Sequence, residues 1–336
     1  HINAYLSPVL PETEWAYETT GIRELQDSGL DGSGVHVCMV DTGIDTAHPD
    51  FSNLTLAGFR DFYEGEHDLI RDVGEDSHGT MMAGLLVADG KFYGAAPGVD
   101  LSIALALGPS GTSGQEDRVA QAIRWCRITQ KADIVSLSLG SDPGDGMGIQ
   151  SETVLAVQEA LDAGIFVVAA AGNTGDDASI SDVSVPANMQ GVIAVGASTR
   201  SGNVWSNSAN GSMVDPYTQE NRSYPDQKPE VSAPGILLFS TTSTQIEPPY
   251  AYSTGTSDST ALVTGALALI LELYGTALAG DDGVIDAEEM EMVKRSLASS
   301  CDKSGIDGSP HDVRGGYGFL DAVQWASDIA FELNLA

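Results

Sequence analysis

Positive charge is what this chain has least of: 15 Lys and Arg stand against 48 Asp and Glu, a formal charge of −33 over 336 residues. A magnitude of roughly 2–8 keeps a small domain soluble, so an excess of this size needs its own reason. It excludes nucleic acid and anionic membrane surfaces as partners, because both repel such a field. Two origins fit it: adaptation to high salt, where ions screen the self-repulsion, and the ordinary acidity of a secreted protein. No apolar run approaches the length of a membrane span. The residues from His1 onward lack the basic and apolar regions of a signal peptide, which leaves a cytosolic chain, an already processed one or an expressed piece. Cysteine is scarce as well. Cys38, Cys126 and Cys301 cannot all pair within the chain; Cys38 lies in an apolar strand pattern and reads as a buried small hydrophobe, and no nearby His supports a nucleophilic thiol. A Gly-x-Ser-x-Gly elbow is absent, which excludes an esterase of the α/β-hydrolase type. Gly32 and Gly34 precede a strand rather than follow one, so they make no dinucleotide fingerprint.

What is present is enough apolar residue, 42%, for a full core. The pattern predicts a short helix around Glu14 to Ser28, a buried strand over Val35 to Val40 ending at Asp41-Thr42-Gly43, and a buried helix carrying His78 near its start. Further strands are expected at Leu101 to Leu107, Ile134 to Gly140, Ile165 to Ala171 and Val192 to Ala197, with helices at Glu116 to Gln130 and Glu152 to Ala163. Such alternation argues an α/β fold: a mostly parallel central sheet flanked by helices on both faces, three layers in all. Sites in these sheets lie beyond the carboxyl ends of the strands, where Asp41, Gly140 and Asn173 all fall. The polar stretches 202–229 and 240–254 read as long loops, which tend to be functional. Asp282 to Glu289 imitates the second half of a calcium loop, but Leu278 and Gly280 stand where the first carboxylates belong, so it reads as a turn and an acidic helix cap.

The stretch that organises the chain is Gly255-Thr256-Ser257, which leads into a long helical pattern. It puts Ser257 at a helix N-terminus, where free backbone N–H groups favour developing negative charge. A serine there is often only a cap. An acyl-transfer serine needs a base, a carboxylate to orient that base, and oxyanion donors. Asp41 at a strand end, His78 at a helix start and Ser257 at another helix start supply the first parts. In these contexts the chain resembles the subtilisin-like serine proteases, the subtilases, from about Pro11 to about Ala326. The resemblance rests on Val40-Asp41-Thr42-Gly43-Ile44-Asp45 with His48-Pro49-Asp50, His78-Gly79-Thr80, Gly94-Ala95-Ala96-Pro97, Ser138-Leu139-Gly140, Ala170-Ala171-Gly172-Asn173, Ala233-Pro234-Gly235, Gly255-Thr256-Ser257 and Gly316-Tyr317-Gly318.

The resemblance implies a single peptidase domain over 1–336, with residues 1–30 an N-terminal extension packed on it, and a serine endopeptidase that works through an acyl-enzyme. Ser257 is then the nucleophile, His78 the base and acid, Asp41 the orienting carboxylate and Asn173 the oxyanion-hole amide. An extended peptide substrate adds along Leu107 to Gly111 and Ser138-Leu139-Gly140, with Gly108 and Gly140 allowing close approach. Ser184 lies at the floor of the pocket before the scissile bond, which predicts apolar or aromatic residues there. No cofactor is required for the chemistry. The connection from Ala88 to Gly94 is shorter than the calcium loop many relatives carry, so a structural calcium ion has no assigned site, and Asp176-Asp177 reads as solvated surface. A removed propeptide fits the same resemblance, as does secretion after processing in preference to a cytoplasmic chain. The departure from the family is Asp258, which with Ser259 and Ala261 stands where Met, Ala and Pro usually follow the serine. Its charge opposes a nearby oxyanion, which predicts slow turnover or a raised Asp258 pKa. The alternative it raises is a weakened or inactive subtilase fold that binds peptides. Loss of that Met predicts low sensitivity to peroxide.

Overall fold

The computed structural model describes residues 13–65, 67–143, 151–280 and 283–335. Residues 1–12 of the expected N-terminal extension and Asp282 of the calcium-loop imitation lie outside the described residues. At the centre is one seven-stranded sheet: β1 (His36–Asp41), β2 (Gly58–Asp61), β3 (Asp100–Leu105), β4 (Ile134–Leu137), β5 (Phe166–Ala170), β6 (Ile193–Ser198) and β7 (Val231–Pro234). The strands lie in the order β2-β3-β1-β4-β5-β6-β7, and every pairing is parallel. Parallel strands covered on both faces read as near-continuous apolar runs, and Phe-Val-Val-Ala-Ala of β5 is buried throughout.

The helices are α1 (Glu14–Thr19), α2 (Ile22–Asp27), α3 (His78–Val87), α4 (Glu116–Trp125), α5 (Glu152–Leu161), α6 (Thr256–Leu278), α7 (Ala287–Ser300) and α8 (Ala322–Glu332). Helix α6 packs against β4 to β7 and α3, while α4 and α5 pack on each other and against β1, β3 and β5. This is the three-layer α/β arrangement the alternation predicts. At 23 residues α6 is long and apolar enough to cross a membrane by length and composition alone, which the sequence reading had not credited to any run. Its apolarity has another cause: every residue from Thr256 to Leu271 except Ser257 is buried in the core. A helix apolar all round belongs in such an interior.

Three local expectations need correction. The single helix over Glu14 to Ser28 is broken by Gly21, whose φ of 74° ends α1 and admits the start of α8, since a Cβ there would fall 3.0 Å from Val323 Cγ2. The segment 240–254 is no simple loop: β8 (Ile236–Thr241) and β9 (Tyr250–Thr254) form an antiparallel hairpin whose connection holds Pro248 and Pro249. Cys38 is buried as expected but is bonded to Cys126, 88 residues away, tying β1 to the π-helical turn Cys126–Gln130 that follows α4. Cys301 stays free and buried. The acidic cap is as read, with Asp286 and Glu289 closing a capping box on α7.

Candidate active site

The carboxyl ends of β1, β4 and β5 deliver the polar groups, and the starts of α3 and α6 face them. Asp41 ends β1 with 1% of its surface exposed, and its Oδ1 accepts from His78 Nδ1 at 2.7 Å and from Thr42 N at 2.7 Å. A proton held on Nδ1 by that bond leaves Nε2 free to accept another. Two glycines let the strand end and the helix start approach this closely. A Cβ on Gly79 would fall 2.1 Å from Gly43 O, and one on Gly43 would fall 2.0 Å from Arg71 O. Ser77, at a φ of 56°, turns the chain into α3 just before His78.

Ser257 opens the first turn of α6 and is reached from β4. Its Oγ donates to Ser138 O at 3.2 Å, and Ser138 Oγ donates back to Ser257 O at 3.1 Å. The Ser257 hydroxyl is committed to Ser138 O, and among the described residues no hydrogen bond joins Ser257 to His78. Unliganded sites often hold such bonds open. Asn173, past the end of β5, is oriented by its neighbours: Oδ1 accepts from Thr256 N at 2.9 Å and Thr256 Oγ1 at 3.1 Å. Its Nδ2 lies beside Gly255, where a Cβ would fall 3.3 Å from it. Asn173 is thus anchored to the residue just before Ser257 in the first turn of α6.

Charge around the imidazole is unusual. Burial alone would lower the His78 pKa, but the attraction of Asp41, with smaller contributions from Asp258 and Asp72, pushes it up to about 9. Asp258 is 1% exposed; Ser253 Oγ donates to its Oδ2 at 3.0 Å, while Oδ1 is buried without a partner. Burial pushes this carboxyl up to about 7 despite the hydrogen bond from Ser253 and the nearby His78. The raised pKa expected from the sequence is therefore found, and its cause is desolvation.

Segments 107–114 and 139–141 border a cavity of about 150 Å³ lined by Leu107, Gly111, Val119, Leu139, Gly140 and Val185. Larger cavities of about 770 and 960 Å³ lie at the opposite end of the sheet around Gly164 and Ile285 and contain none of the predicted residues. The expected reason for the glycines changes here. A Cβ on Gly108 would fall 2.5 Å from the ring of Tyr63, and one on Gly140 would fall 2.6 Å from Ser184 Cβ, so side chains of this same chain need the space. Ser184 Oγ also lies 2.3 Å from where a Cβ on Gly172 would sit, which puts Ser184 between the 138–140 and 171–173 segments. Among the described residues no group of three or more His, Cys, Asp or Glu side chains is arranged to hold a metal ion.

Sequence reasoning missed Asp72. Its carboxylate accepts from Thr42 Oγ1 at 2.8 Å and from Thr80 N at 2.9 Å, joining the motifs that contain Asp41 and His78. The available signal was a Thr within two residues of each motif residue, two buried hydroxyls that need partners.

Comparison with known proteins follows the same elements. The model of the subtilase family matches residues 32–318. The chain is 35% identical over 253 residues to the major intracellular serine protease of Bacillus subtilis, covering 74% of this chain and 71% of that protein. It is 35% identical over 255 residues to Subtilisin E of the same organism, covering 75% of this chain and 59% of that one. Against the intracellular serine protease of Paenibacillus polymyxa it is 33% identical over 308 residues, covering 89% and 82%.

Proposed function

The chain belongs to the subtilase family and is a subtilisin-like serine endopeptidase with a polypeptide substrate, and we propose that Ser257, His78, Asp41 and Asn173 carry its chemistry. The bond from His78 Nδ1 to Asp41 Oδ1 at 2.7 Å is the observation that carries this reading, because it fixes the tautomer that a base needs. Ser257 Oγ turns from Ser138 O, gives its proton to His78 Nε2 and attacks the scissile carbonyl carbon. The oxyanion accepts from Asn173 Nδ2 and the Ser257 backbone N–H. His78 then returns its proton to the departing amine, leaving an acyl-enzyme on Ser257. A water then gives a proton to the same Nε2 and attacks the acyl carbon, the ester bond to Ser257 Oγ breaks, and His78 returns the proton to that oxygen as the carboxylic acid product leaves.

The substrate backbone runs beside Gly108 and the Ser138-Leu139-Gly140 segment, with Ser184 closing the pocket for the residue before the scissile bond. Its small neutral side chain favours apolar or aromatic residues there, and best cleavage after Arg would contradict this. The chain acts as one domain, on which residues 13–30 of the expected extension pack through α1 and α2. The Tyr17 hydroxyl donates to Leu85 O at 3.0 Å, and Thr13 Oγ1 donates to Phe239 O at 3.0 Å, in support of that packing. The Cys38–Cys126 bond supports secretion, since disulfides persist in oxidising compartments, and a removed propeptide stays part of the proposal. Structural calcium remains part of the proposal without an assigned site.

Replacing Ser257 or His78 with Ala tests the reading on a fluorogenic peptide. Either change should abolish turnover to within background, a loss on the order of 10⁶ for such units. Asn173→Ala should cost about 100- to 1000-fold in kcat, the range known for subtilisin itself, with KM little changed.

A further inference from the structure

Segment 71–74 runs between the strand end that carries Asp41 and the helix start that carries His78. Val73 N donates to Thr42 O at 3.0 Å and Ile44 N donates to Arg71 O at 3.1 Å, so the segment is laced to the end of β1 by its backbone. Asp72 adds the side-chain link. Its Oδ1 accepts from Thr42 Oγ1 and from Gly74 N, each at 2.8 Å; its Oδ2 accepts from Thr80 N at 2.9 Å and from Thr80 Oγ1 at 2.5 Å. Thr42 Oγ1 accepts in turn from Gly79 N at 2.9 Å. Thr42 and Thr80 are both fully buried. One carboxylate thus ties the residue after Asp41 to the residue two after His78, and it caps the free N–H of Thr80 in the first turn of α3.

We propose that Asp72 is a positioning residue of the reaction, whose carboxylate fixes Asp41 and His78 relative to one another through Thr42 and Thr80. All four of its donors are neutral, and the neighbouring Arg71 is engaged instead by Asp61 and Glu64. The carboxylate is therefore committed to the two motif threonines and their loop rather than to an ion pair. Its charge acts as well: the anionic groups facing His78 are Asp41 from β1, Asp258 from α6 and Asp72, and each favours the imidazolium. The inference rests on the roles proposed for Asp41 and His78.

The test compares Asp72→Asn, Thr42→Val and Thr42→Ser by kcat, KM and the pH profile of kcat/KM. Misplacing a catalytic group by about 1 Å costs on the order of 100-fold, so Asp72→Asn and Thr42→Val should each lose about 10- to 100-fold in kcat, with KM within about twofold of wild type. Thr42→Ser, which keeps the hydroxyl, should recover most of the Thr42→Val loss. Asp72→Asn should also move the acid limb of kcat/KM to lower pH, because a charge favouring the imidazolium is gone; Thr42→Val keeps that charge and should not move it. A folded Asp72→Asn protein with wild-type kcat and an unmoved limb overturns the proposal, as does a loss confined to KM. Where Asp72→Asn fails to fold, a folded Thr42→Val protein with wild-type kcat overturns it equally. If the roles of Asp41 and His78 were wrong, His78→Ala would retain activity, whereas an error about Asp72 alone would leave His78→Ala inactive.

Discussion

A base works only when it is neutral. With the His78 pKa at about 9, most imidazole is protonated at neutral pH, so kcat/KM should rise as pH increases through about 9. Asp258→Asn removes one anion that favours the imidazolium and one that opposes the oxyanion. The variant should be faster than wild type at neutral pH, with its acid limb at lower pH; a slower variant with an unmoved limb would count against both effects. Stability follows its own sign. The Asp258 carboxyl is raised from 3.8 to about 7, so the fold favours its neutral form, and the stability that form provides is lost as pH climbs through about 7. Asp258→Asn should therefore raise the melting temperature above pH 7 and leave it unchanged below the ordinary carboxylate range. His78 contributes in the same direction: its charged form is favoured in the fold, and that stability is lost as pH rises through about 9. Peroxide gives a further check. Asp258 stands where the family resemblance read from the sequence implies Met, and Met81 and Met82 are 7% and 0% exposed, so dilute peroxide should leave activity intact. Rapid inactivation would contradict this unless peptide mapping placed the oxidation on Met81 or Met82. At this scale the sequence made Asp41, His78, Ser257 and Asn173 legible because each sits in a short motif at an element boundary. Asp72 was hidden among 48 acidic residues, since its role depends on a fold that brings Thr42 and Thr80 to it.

The elements were legible where period and length agreed. Strands β1, β3, β4, β5 and β6 stood out as buried apolar runs, and only their ends shifted by a residue or a few. Strand β2, four residues with alternating burial, carries too little pattern to be seen alone. The β8–β9 hairpin was masked by Pro248 and Pro249, which read as loop although they lie in the connection and not in the ladder. The disulfide was missed for a different reason. An odd number of cysteines and a partner 88 residues away give no local signal, and only the parallel packing of β1 beside the end of α4 brings the two sulfurs together. By loop-closure entropy, cutting a bond that closes a loop of that length costs about 4.5 kcal/mol at most, and native disulfides typically deliver about 2–4 kcal/mol. Cys126→Ala should lower the denaturation midpoint accordingly while the folded fraction keeps its activity; an unchanged midpoint would show that the bond adds nothing to stability.

The whole molecule combines a family fold with a charge of −33. Screening should relieve the self-repulsion that such a charge imposes on the compact state, so the melting temperature should rise from low to molar NaCl. No gain with salt would leave ordinary surface acidity as the better reading. The overall architecture could be read from the alternation of strands and helices, because a parallel sheet with right-handed crossovers leaves few other topologies. The placement of the site followed from the same rule, since the carboxyl ends of β1, β4 and β5 share one edge. What the pattern could not supply was the state of the proposed nucleophile, Ser257, now seen turned toward Ser138 O with the buried Asp258 next to it. Labelling with a serine-directed fluorophosphonate, at low and molar salt and followed by peptide mapping, tests this most directly. Label on Ser257 that vanishes in both Ser257→Ala and His78→Ala is the expected result. A correctly folded wild-type protein that stays unlabelled at every salt concentration would contradict it, leaving a subtilase fold that holds peptides without cleaving them.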